Sequence, residues 1–238
     1  MSSSLQLVLT YISFPVVATI LGGIVAAIRP PGPQLKSAIQ HFAAGVVFAA
    51  VATELLPRIR TEHNTLAVVI GFGLGVALML GVKWLLQRFV PGAEEPDAPP
   101  TGMIITVGID MLIDGVLIGI GFTADAEVGV LLTLALTLEL LFLGLSVSAA
   151  LHQAGKSRAR SIATTAGLAS LVLIGAVVGT SALAGLSGAA LVGMLAFGVA
   201  ALLYLVTEEL LVEAHEEPET LLSTAMFFVG FLVLLVLA

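Results

Sequence analysis

The 238-residue chain has no cysteine, only nine lysines and arginines, and charged side chains at only 11% of its positions. Without cysteine, neither a disulfide framework nor a thiolate metal site can form. An ordinary soluble domain carries about 25% charged residues, so the shortage excludes one, and it excludes a disordered chain for the same reason. Nine basic residues stand against sixteen acidic ones, for a net charge of −7. That balance leaves no basic footprint for phosphate backbones and excludes nucleic acid as a partner. What fills the chain instead is apolar: 58% hydrophobic residues and a mean hydropathy of +1.13. Lipid is therefore the expected main solvent, and the length suits one integral membrane domain over residues 1–238. Met1 to Gln6 has no basic residue and no small-residue cleavage pattern after a short apolar core, so no removable signal peptide is expected.

A spanning helix needs about 20 mostly apolar residues. Eight such segments fit, over 4–28, 36–57, 65–88, 102–124, 128–151, 161–185, 189–213 and 219–238. The runs are continuous rather than alternating, so they read as helices and not as barrel strands. The longest polar connection is Val90–Thr101, with its prolines and acids, which suits a loop. The charge-free Leu183–Ala190 reads as a tight turn of small residues. Basic residues favour the cytosolic side. With the N-terminus outside, Arg29, Lys36, Lys83, Arg88, Lys156, Arg158 and Arg160 fall inside, and only Arg58 and Arg60 fall outside. The expected fold is an all-α integral membrane protein of eight transmembrane helices with both ends outside. Glycine and alanine recur along the spans, as at Gly22, Gly23 and Ala26, and let helix backbones approach closely.

Three acids lie inside the apolar runs: Asp110 and Asp114 in the fourth span and Glu139 in the fifth. At 1.5 Å per residue they stand about 10–17 Å along their helices, near mid-membrane. A carboxylate there costs about 2.5–3.5 kcal/mol. No lysine or arginine except Lys83 lies near that depth, so protonation, water or a bound cation must compensate. Asp110 and Asp114 are four apart and share a helix face, where a divalent cation would remove their repulsion. Asp110, Gly115 and Gly119 also match Glu139, Gly144 and Ser148 at a shift of 29 residues, which suggests two facing half-sites. Glu208, Glu209 and His215, in a run that includes Glu213, Glu216, Glu217 and Glu219, are the candidates for a receiving site on the cytosolic side. Glu54 near the outer end of the second span and His41 near its inner end read as residues reaching interfacial water.

Eight spans, both ends outside, and ligand-type residues on the fourth and fifth spans resemble the ZIP family of divalent-metal transporters. That family carries His-Asn-x-Pro-Glu-Gly on its fourth span and His/Gln-Asn/Asp-x-x-Glu-Gly on its fifth. Here Asp110-Met111-Leu112-Ile113-Asp114-Gly115 and Glu139-Leu140-Leu141-Phe142-Leu143-Gly144 stand in those places. Ala52-Thr53-Glu54-Leu55-Leu56-Pro57 and the segment Val206–Glu217 are also similar to the family's. The resemblance implies one central metal site of Asp110, Asp114 and Glu139. Met111, Leu140 and Leu143 stand where the family's second site and its bridging carboxylate would be, and both prolines are absent. It further implies a homodimer in the cell membrane.

A secondary transporter moving a divalent cation into the cytosol is the expected function, and no enzymatic activity is expected. An intramembrane aspartyl hydrolase would need two aspartates on facing helices, and the facing acid here is Glu139. The alternative is a protein of the same fold that has lost transport and serves a structural or regulatory role. Zn²⁺, Fe²⁺ and Mn²⁺ are the candidate substrates by resemblance, and the all-carboxylate ligands suit hard ions such as Mn²⁺.

Overall fold

The computed structural model describes residues 3–61, 64–89, 100–182, 185–215 and 220–237. The Val90–Thr101 loop, most of the acidic run after His215, the start of the Leu183–Ala190 turn and the C-terminal Ala238 therefore lie wholly or partly outside the described residues. Within them the chain is helical, with no strand. Seven helices are long and apolar enough to cross a membrane: α1 (Gln6–Ile28), α2 (Pro33–Thr61), α3 (Thr65–Phe89), α4 (Thr101–Ala124), α5 (Ala126–Gln153), α6 (Arg158–Ser181) and α7 (Gly188–Ala214). The last apolar segment forms α8 (Leu221–Leu237), whose 17 residues fall just short of the usual span.

Sequence explains the boundaries. Pro33 stands in the first turn of α2, where its missing N–H is no loss. Asp125 alone separates α4 from α5 and caps α5 by accepting from Glu127 N at 2.8 Å, as an N-cap carboxylate does. The two prolines absent from α4 and α5 leave both helices unbroken. The irregular segments are elsewhere. Val51–Leu55 in α2 and Leu205–Leu210 in α7 are π-helical, and each carries an acid. Such bulges shift the side-chain register and gather at functional sites.

α1 packs on α5, α4 on α6, α2 on α8 and α3 on α7. α1, α4, α5 and α6 form one group with α5 at its centre. α2 joins that group through α5, and α7 joins it through α4. In lipid these contacts rest on close backbone approach rather than on water exclusion. A side chain at Gly22 would collide with the carbonyl of Leu141, and one at Gly144 with that of Thr19. The α4–α6 pair repeats the pattern: Gly175 meets the carbonyl of Leu112, and Gly115 that of Val172.

The repetition is regular. Leu141 and Gly144 each lie 29 residues after Leu112 and Gly115, while Gly175 and Val172 lie 153 after Gly22 and Thr19. Ser148 donates to the carbonyl of Gly23 at 2.7 Å, and Gly119, 29 residues before it, faces the carbonyl of Ala176, 153 after Gly23. In the remaining helices Gly230 meets the carbonyl of Phe42 and Gly75 that of Phe197, both displaced by 155. α1, α2 and α3 thus correspond to α6, α7 and α8, and α4 corresponds to α5. Because α4 and α5 are joined by one residue and pack side by side, they run antiparallel. The operation that exchanges them inverts one half of the molecule against the other.

Candidate metal centre

Asp110 and Asp114 project from one face of α4, and Glu139 stands midway along α5. One carboxylate oxygen from each lies within 4.8 Å of the others. Among the described residues this is the one group of three or more potential metal ligands. All three are buried, Asp114 and Glu139 to 1% exposure. Asp114 Oδ2 and Glu139 Oε2 accept no hydrogen bond from the protein. A buried oxygen so placed costs about 1–3 kcal/mol, and more when charged. The local chain accounts for the gathering. The four-residue spacing aligns Asp110 with Asp114, and Gly115 and Gly144, each five residues after an acid, seat the two helices deep against α6 and α1.

A fourth carboxylate joins from α7. Glu209 lies within hydrogen-bonding reach of Asp110. Two carboxyl groups in that relation need a shared proton or a cation between them. The sequence grouped Glu209 with Glu208 and His215, whereas the structure sends the three to different surroundings. Glu208 is exposed and pairs with Lys83 Nζ at 3.0 Å. His215 stacks near His41, with ring centroids 5.2 Å apart. Neighbouring residues on a helix point about 100° apart at 3.6 residues per turn. Within the π-helical Leu205–Leu210, Glu209 faces inward and Glu208 outward.

Below Glu209, Gln40 Nε2 donates to Glu213 Oε2 at 2.6 Å, and Gln40 is fully buried. Ser37 Oγ donates to the carbonyl of Ala214 at 2.8 Å, and His41 Nδ1 lies 2.9 Å from the carbonyl of Ser37. The beginning of α2 is thereby tied to the end of α7. Gln40 carries no signal in the sequence, where it is a lone glutamine near a helix start. At the opposite end Glu54 lies within electrostatic range of Arg58, Asp125 and Glu127, and Arg58 pairs with Asp125 at 3.4 Å.

Among the described residues the donor set around the centre consists of carboxylate oxygens, with no imidazole, and the chain has no thiol. Met111 and Leu140 are fully buried and Leu143 nearly so, and all three belong to the apolar core. The arrangement can hold a hard divalent cation. No family model matches the chain, and no curated protein matches its sequence.

Proposed function

We propose that the protein is a ZIP-like secondary transporter that carries a divalent metal cation of the Zn, Mn or Fe class into the cytosol. In this reading α8 is the eighth span and both termini face outside. The observation that carries the proposal is the buried carboxylate group of Asp110, Asp114 and Glu139, with two of its oxygens unpartnered inside an apolar helical bundle. Intramembrane acids facing a bundle interior mark ion pathways. Inverted halves with the site at their interface are the build of many secondary transporters, where one bundle rocks or shifts against another. Here α1, α4, α5 and α6 would move against the α2–α8 and α3–α7 pairs, and Glu209 would be the fixed side's contribution to the site.

Uptake into proteoliposomes, with Mn²⁺, Fe²⁺, Zn²⁺, Mg²⁺ and Ca²⁺ offered separately, tests the reading. Saturable uptake of at least one ion that is abolished by Glu139→Gln supports it. A wild-type protein that binds a cation without moving it would favour the structural or regulatory alternative. A homodimer in the cell membrane is part of the same proposal, carried by the family resemblance.

A further inference from the structure

The repeat gives Glu209 a counterpart. The displacement of 155 that relates Phe42 to Phe197 and Gly75 to Gly230 places Glu54 on Glu209. It also places the π-helical end Leu55 on the π-helical end Leu210. The displacement of 29 places Asp110 on Glu139. The contact between Asp110 and Glu209 therefore has an image between Glu139 and Glu54. In this structure only the first of the two is made. Glu54 is instead partly buried, within electrostatic range of Arg58, Asp125 and Glu127, while Glu139 lies within electrostatic range of Asp114, Glu209 and Glu213.

Two halves built alike but contacted unequally can exchange roles, since interfaces of this kind have discrete arrangements of similar energy. In the exchanged arrangement the α4–α5 carboxylates leave Glu209 and approach the π-helical segment of α2. We propose that Glu54 is a further binding residue for the cation: it closes the carboxylate site from the outer side in the conformation opposite to this one, as Glu209 does from the inner side here. The inference rests on the transporter reading. A bound divalent cation then keeps a fourth carboxylate within reach in both conformations, supplied by α2 on one side and by α7 on the other. The loose polar setting of Glu54 is the released state of that ligand.

The chain's lack of cysteine makes the test direct. The full-length Glu54→Cys/Glu139→Cys protein in liposomes is treated with a short thiol-specific bifunctional reagent, with Asp110→Cys/Glu209→Cys treated in parallel. Intact mass shows whether one reagent has consumed both thiols. Both pairs are expected to give the bridged product. Absence of the Glu54–Glu139 product, whatever the second pair does, overturns the proposal. Because replacing two acids can disturb folding, a single-site series stands beside it. Uptake from the outer side should be lost in Glu54→Gln and return in Glu54→Asp, and unchanged uptake in Glu54→Gln would equally overturn the proposal. Bridging is read without any transport, so its failure is separate from a failure of the wild-type protein to move a cation.

Discussion

At the scale of single residues, the cost of the buried acids governs the expectations. Asp110, Asp114 and Glu139 were legible in the sequence because a charge in an apolar run stands out. Glu209 was legible as an acid but not as their neighbour, because its direction depends on a π-helical turn that no residue pattern announces. Asp110→Asn or Glu139→Gln keeps side-chain shape and removes charge. Each is expected to cut divalent-cation uptake at least tenfold, given that loss of even an outer partner of a metal ligand costs about 10–100-fold. The proteins should still elute as folded species in detergent, and uptake equal to wild type in both would remove the site. Lys83→Met should matter little to stability. Its partner Glu208 is about half exposed, and pairs of that kind contribute about 0–1 kcal/mol. A chemical or thermal unfolding comparison checks it.

At the scale of helices, glycine position sorts structural from idle small residues. Gly115 and Gly22 press on the backbone of a neighbouring helix, whereas Gly73 has nothing within 4 Å of where a side chain would begin. Gly115→Ala or Gly22→Ala is therefore expected to destabilise by about 1–3 kcal/mol, the usual cost of overfilling a packed contact. Gly73→Ala should be neutral or slightly stabilising, since alanine is the better helix former by about 1 kcal/mol. Thermal unfolding of the purified variants separates the two classes, and equal losses at all three sites would contradict the packing described. In the sequence all these glycines looked alike. The shift of 29 between α4 and α5 was visible because acid and glycine recur together, but the shifts of 153 and 155 were not. They live mainly in which backbone each glycine touches; in the sequence the shift of 155 leaves only short matches, such as Glu54-Leu55-Leu56 with Glu209-Leu210-Leu211.

At the scale of the whole molecule, the apolar runs marked where the helices lie, since lipid leaves the backbone few alternatives; seven of the eight expected spans are long and apolar enough to cross a membrane, and Leu221–Leu237 is shorter. Pairing was not legible, because every span is apolar on most faces and hydropathy does not choose partners. The orientation is testable by itself: tags at either end of the chain should be reachable in intact cells, and a tag within Lys156–Arg160 should not. Protection of either end would overturn the topology. The central claim is that one cation is held between α4 and α5 by Asp110, Asp114 and Glu139. A second beside it would find Met111, Leu140 and Leu143, and desolvating an ion against apolar side chains is prohibitive. Anomalous scattering from crystals soaked in Mn²⁺ tests this most directly. A single peak per chain is expected within coordination distance of Asp110, Asp114 and Glu139. Two peaks about 4 Å apart, the separation of bridged two-metal sites, or no peak between α4 and α5, would contradict it.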